Sequence, residues 1–407
     1  MSIEVIVYLA SMAAVYFFAN FKRSIAFLWI VVYFLIAWPI EDYYQGNLSI
    51  AYVLTAGVLI ALCEFLTRQG KDPFAYDSVR LRVINTIKLV WPSPKTTVMK
   101  TSGYKSIERA NKYIKQKKWQ KLEQYIKQLS DDDRHTVYQG LAEEGIRPSF
   151  IDEWLKARPK SGVAYRASGF SHIRVGWEAR SAATADEVSL QGWEEFSAEL
   201  DAAEEDFQKA IKLKDDCYTP YLGLITIAMG SGVGSENMWK YFAKGTSMSP
   251  HNYPLHSSMI HACAPKWGGE ASDMFTVANT ARKEANNNHP VSACLAIAHV
   301  EHWLSLSMMG DEEEAEEYFQ QNSVREELLG LVEEMKSYGN FDFSSLEAKN
   351  VIVFCLEKAE MYKEFRKMVP FLKGKYTEYP WIYYEGSFLA GVDTAYALDH
   401  VLKKHGF

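Results

Sequence analysis

"AELDAAEEDFQKAIKLKDD", residues 198–216, decides the fold. Ala203, Phe207 and Ala210 recur at helical spacing, so two small side chains and one large one share a face that must pack against a neighbouring helix. The pattern then returns. "MWKYFAKGTSMSPHNYP" (238–254) places Phe242 and Gly245 35 positions after Phe207 and Ala210, and "SDMFTVANTARKEANNNHP" (272–290) places Phe275 and Ala278 a further 33 positions on. Between and after these copies lie three more apolar helical stretches, "YTPYLGLITIAMG" (218–230), "PLHSSMIHACA" (254–264) and "PVSACLAIAHVEHWLSLSMM" (290–309). No long alternating Val/Ile/Thr run occurs, which argues against a sheet. The expected fold is all-α.

Helix starts are marked by polar residues. Ser130 precedes "DDD" with Asp133 at the third helical position, and Asp311 precedes "EEEAEEYF" with Glu314 likewise. Capping and first-turn negative charge favour both starts. Neither run has the EF-hand spacing, so both read as solvated helix beginnings and not as calcium ligands.

The 407-residue chain has a net charge of -7 that conceals three unequal blocks. Residues 1–66 are apolar; 67–130 hold 15 Lys and Arg against 4 Asp and Glu; 131–407 hold 27 against 43. Runs 5–21, 24–40 and 46–63 carry no charge and span 17, 17 and 18 residues, just within the range that crosses a bilayer as helices. The loop with Lys22 and Arg23 is basic and the one after Pro39 acidic, while Arg68 follows the third run. By the positive-inside rule this predicts three transmembrane helices in a bacterial inner membrane, with the N-terminus outside and a large cytoplasmic C-terminal domain. Trp38, Tyr43, Tyr44 and Trp91 would then be interfacial anchors in the lipid bilayer. The basic block is assigned to the membrane surface and no nucleic acid is expected. Within it, 105–129 reads as one helical stretch with Ile107, Ile114, Trp119, Leu122, Tyr125 and Ile126 as buried positions. Five scattered cysteines with no CxxC argue against a disulfide framework and a cysteine zinc site, and suit a reducing compartment.

The offsets of 35 and 33 bracket the 34-residue tetratricopeptide period, and the block from about 181 to 309 resembles tetratricopeptide-type α-solenoid repeats. "WLKARPKSGVAYRASGFSHIRVGWEARS" (154–181) and "APKWGGEASDMFTVA" (264–278) also resemble an uncharacterised bacterial helical-domain family, in which a Trp-to-Pro-x-Ser helix precedes the repeats and a Pro-x-Trp-Gly-Gly turn lies between two of them. The implied organisation is a three-span anchor over 1–66, a basic linker over 67–104 and an N-terminal helical segment over 105–180. TPR-like repeats follow over 181–340, then capping helices over 341–407 with "YPWIYYEGSFLAG" as a closing turn.

The strongest chemical candidate is "HVEH", in which His299 and His302 share one side of a helix while Glu301 lies about 100° from His302. A zincin needs His at i and i+4 with Glu after the first, and a catalytic zinc needs a third ligand. His256, His261, Cys263 and Cys294 are conceivable partners, but His299 and His302 read best as structural. "GSGVGSEN" (230–237) lacks the closing Lys-Ser/Thr of a phosphate loop and reads as a loop between helices. No GxSxG occurs. No catalytic residue and no cofactor are expected. Trp267, Tyr221, Trp239 and Trp303 are the expected partner-binding residues, since exposed aromatics on solenoids anchor interactions. The functional expectation is a membrane-anchored, non-enzymatic protein binder. It would be an immunity protein against a membrane-directed bacterial toxin, engaged by the repeats, the spans or both, or else an assembly adaptor. The alternative is a metal enzyme using His299, Glu301 and His302.

Overall fold

The computed structural model describes residues 96–407, apart from 100–103, 142–147, 182–184, 186, 214–216, 233–234, 286–288, 339–342 and 385–393. The chain divides into two compact units, Met1–Ser93 and Pro94–Phe407, and every described residue belongs to the second. The described residues form sixteen α-helices and four short 3-10 turns with no strand among them. A single parallel bridge joins Val98 to Tyr376.

The first helices are α1 (Lys105–Lys115), α2 (Trp119–Lys127), α3 (Asp131–Leu141), α4 (Ser149–Ala157) and α5 (Gly162–Arg180). The stretch 105–129 is thus two helices, because Lys117 adopts φ +50° and a left-handed residue ends a right-handed helix. Ile107, Leu122 and Ile126 are fully buried and Trp119 nearly so, while Ile114 and Tyr125 keep some exposure.

The repeat region follows as α6 (Leu190–Lys212), α7 (Thr219–Ser231), α8 (Ser235–Met248), α9 (Tyr253–Ala262), α10 (Ala271–Glu284) and α11 (Cys294–Met309). Each helix packs on the next, and α7, α9 and α11 also pack on one another in sequence. That is the solenoid-like stacking in which each unit leans on its neighbours. Phe207 explains the spacing of small residues. Its ring is fully buried, and a Cβ on Gly169 of α5 or Gly223 of α7 would come within 2.7 or 2.3 Å of it. Two neighbours therefore give up a side chain to admit one ring. At the equivalent positions Phe242 meets His256 of α9 and Phe275 meets His299 of α11, with ring centroids 5.1 and 5.3 Å apart. Gly223→Ala is expected to cost about 2 kcal/mol in urea denaturation, the overpacking penalty of up to ~3 outweighing the ~1 gained in helix propensity. An unchanged midpoint would show that the ring is free to move aside.

The remainder comprises α12 (Glu312–Tyr318), α13 (Asn322–Met335), α14 (Phe343–Lys358), α15 (Tyr362–Met368) and α16 (Thr394–Lys404). Every residue from Pro290 to Glu301 is buried, and so is every residue from Ser344 to Glu357 except Glu347, so α11 and α14 are covered on all sides over these spans. A helix apolar all round belongs inside a core. Part of that cover is α3, which packs on α9 and α14. Here the acidic run departs from a solvated helix start: Ser249 Oγ donates to Asp131 Oδ2 at 2.6 Å and Asn252 Nδ2 to Asp132 Oδ1 at 2.7 Å. Ser130 caps this helix as expected, accepting from the Asp133 N–H at 3.2 Å, whereas Asp311 makes no side-chain cap to α12.

The inner-membrane location needs correction. No helix among the described residues is long and apolar enough to cross a membrane. The apolar α7 and α11 have 13 and 16 residues, short of the roughly 20 a span requires, and the 23-residue α6 is heavily charged. The three uncharged runs, with Lys22, Arg23, Trp38, Tyr43, Tyr44, Arg68 and Trp91, lie outside the described residues.

Candidate functional site

Glu301 parts company with the two histidines of the "HVEH" motif, which share Phe275 and Tyr318 as neighbours. His299 Nδ1 lies 2.7 Å from Tyr318 Oη and its Nε2 2.9 Å from Glu327 Oε2. His302 stacks edge-on against Tyr318 and Phe275, and burial lowers its pKa. Glu301, a third of a turn away, faces α9 instead. The other conceivable ligands are elsewhere engaged. His256 Nδ1 is 2.8 Å from the Asn252 carbonyl, and burial pushes the Cys263 thiol up to about 12 and that of Cys294 well above its ordinary value. Among the described residues no group of three His, Cys, Asp or Glu is placed to hold a metal ion.

Glu301 is the centre of a different constellation. The last turn of α9 supplies His261, whose Nδ1 lies 3.0 Å from Glu301 Oε1, and the 3-10 turn Pro265–Trp267 supplies Lys266, whose Nζ lies 2.7 Å from Oε2. The carboxylate is fully buried while His261 and Lys266 both reach water. Burial alone would raise its pKa, but His261 and Lys266 outweigh that and hold it at about 2. Tyr379 lies edge-on to His261 with centroids 5.4 Å apart, and Lys266 Nζ sits 5.9 Å from the Tyr383 ring. Glu347 of α14 completes the group. Burial pushes its carboxyl up to about 7 against the pull of His261 and the Tyr253 hydroxyl. Two carboxyls driven in opposite directions are a pattern found in acid–base sites and also in structural ion-pair networks. One Glu301 oxygen faces the His261 ring and the other the Lys266 ammonium, so the arrangement ties α9, the turn and α11 together.

The four expected partner-binding aromatics are spread out. Each is partly buried against the core: Trp239 beside Phe242, Tyr221 in α7, and Trp303 beside Phe319 and Phe354 with Lys358 Nζ 4.4 Å from its ring. Trp267 joins a group of indoles. With Trp177 and Trp193 it surrounds Arg180, the guanidinium carbon lying 5.3, 5.7 and 5.5 Å from the three ring centroids. Trp267 and Trp177 meet edge-on at 5.2 Å. Burial lowers the Arg180 pKa, and its Nη1 donates to the Ser181 carbonyl at 3.1 Å. The hairpin that brings these residues together depends on glycine. A Cβ on Gly192 would lie 2.7 Å from the Ala179 carbonyl, and one on Gly176 3.1 Å from Glu199 Cβ, so α5 and α6 touch closely beside Trp177 and Trp193. The signal in the sequence is the doubled Gly-Trp-Glu, at 176–178 and 192–194. Next to this group Leu190 is 76% exposed at the start of α6, whose cap Ser189 accepts from the Gly192 N–H at 3.0 Å.

No protein-family model matches the chain, and no curated protein matches it in sequence, so function rests on this geometry.

Proposed function

We propose that this chain is a non-enzymatic helical-repeat protein of tetratricopeptide type that binds a protein partner through the face built by Trp177, Trp193, Trp267 and Leu190. The supporting observation is the exposed Leu190 beside three part-exposed indoles on closely packed helices. Large apolar side chains left in water at an aromatic surface mark contact sites, and tryptophan is the commonest energetic anchor in such contacts. The inner helices α11 and α14 are covered over most of their length, which favours this outer face as the binding surface. With the full chain as bait, affinity capture from its native cells is expected to recover a partner that Leu190→Asp loses at an unchanged melting temperature. Equal recovery by the variant would overturn the reading. Competition co-culture separates the two versions of the role. A deletion strain killed only beside a toxin-delivering parent identifies an immunity protein, and an unaffected strain leaves the adaptor.

A further inference from the structure

The outer side of α6 continues the aromatic face into an acidic stripe. Leu190, Trp193, Glu194, Ser197, Asp201 and Glu204 recur at steps of three and four, so they share one side of the helix. All are exposed except Trp193, which is partly so. The helix packs on α5 and α7, which leaves this side to solvent. From Leu190 to Gln208 there are seven acidic residues and no basic one. Glu205 shares Lys209 at 3.4 Å and Glu195 accepts from Gln191 at 2.7 Å. Between the acids, Ser197 and Ala198 are small and exposed, so a second helix could approach closely.

We propose that this stripe docks a basic amphipathic helix of another protein. An apolar residue seats on Leu190 and Trp193, and lysines or arginines at three- and four-residue spacing lie along Glu194, Asp201 and Glu204. The inference rests on the protein-binding reading above and adds the chemistry of the partner. Charge complementarity selects the occupant. A nucleic acid would be repelled, and a second copy meeting this one about a two-fold axis would bring the same acids against themselves. Length fits too, since Leu190 to Glu205 is about four helical turns, or roughly 22 Å. The face already holds one cation against its indoles, the Arg180 guanidinium beside Trp193 and Trp267.

The test uses the full chain and a fluorescent synthetic helix with one leucine anchor and lysines at this spacing, beside a twin in which every lysine is glutamate. The basic helix is expected to bind, and to bind about tenfold more weakly when salt rises from about 50 to 300 mM. Glu194→Lys/Asp201→Lys/Glu204→Lys is expected to weaken it about tenfold or more, and the milder Gln/Asn/Gln triple by less. Reversing Glu313 and Glu316 on α12 should change nothing. Equal binding of the acidic twin, or wild-type binding by the charge-reversed triple, overturns the basic partner. Native-partner capture separates this failure from the other. Sensitivity to Leu190→Asp without sensitivity to the triple removes only the partner's charge, and insensitivity to both removes the binding face itself.

Discussion

Glu301→Gln is expected to lower the stability of the folded chain by on the order of 3 kcal/mol at pH 7. The carboxylate is fully buried against His261 and Lys266, so the amide leaves the Lys266 ammonium without its counter-charge and the His261 ring without its carboxylate partner. Its carboxyl titrates at about 2 when folded against an ordinary 4.5. The stabilisation is therefore complete above the unfolded value and is lost as pH falls toward 2. Urea denaturation at pH 7 should show the full loss, and at pH 4 a smaller one. Equal stability of variant and parent at pH 7 would mean that the desolvation of Glu301 cancels its pairing.

Glu347→Gln should do the opposite. Its folded carboxyl is raised to about 7 from 4.5, so between these values the folded chain keeps a proton that the unfolded chain releases. Stability then falls as pH rises from 4.5 to 7 and stays low above. Glutamine imitates the neutral acid at every pH, so the variant should match the parent near pH 4.5. At pH 8 it should exceed the parent by about 2–3 kcal/mol, allowing for the water this side chain still meets. For a domain of this size that is about 4 °C in melting temperature. Parallel curves for parent and variant from pH 5 to 8 would show that Glu347 is ionised throughout.

The helical architecture was legible because it is written locally. Phe207 lies four positions after Ala203 and three before Ala210, and the spacing of three to a small residue returns at Phe242 and Phe275. Legibility failed wherever partners are far apart in the chain. Glu301 pairs with residues 40 and 35 positions earlier, and Asp132 with Asn252, 120 positions later. The first distance hid the partners of Glu301, although its turn away from the side shared by His299 and His302 is legible in the helical spacing. The second made an acidic helix start look solvated. Trp267 was recognisable from its Trp-Gly-Gly turn, but its companions Trp177 and Trp193 could be found only through the repeated Gly-Trp-Glu, because the close approach of α5 and α6 that unites them rests on Gly176 and Gly192.

The most direct test of whether function resides on the outer face or in the buried constellation compares partner capture by Leu190→Asp and Glu301→Gln at a temperature where both are folded. Leu190→Asp is expected to lose the partner with its stability intact, and Glu301→Gln to keep the partner despite its lower stability. Retention by the first and loss by the second would place the function at Glu301 and contradict the outer face.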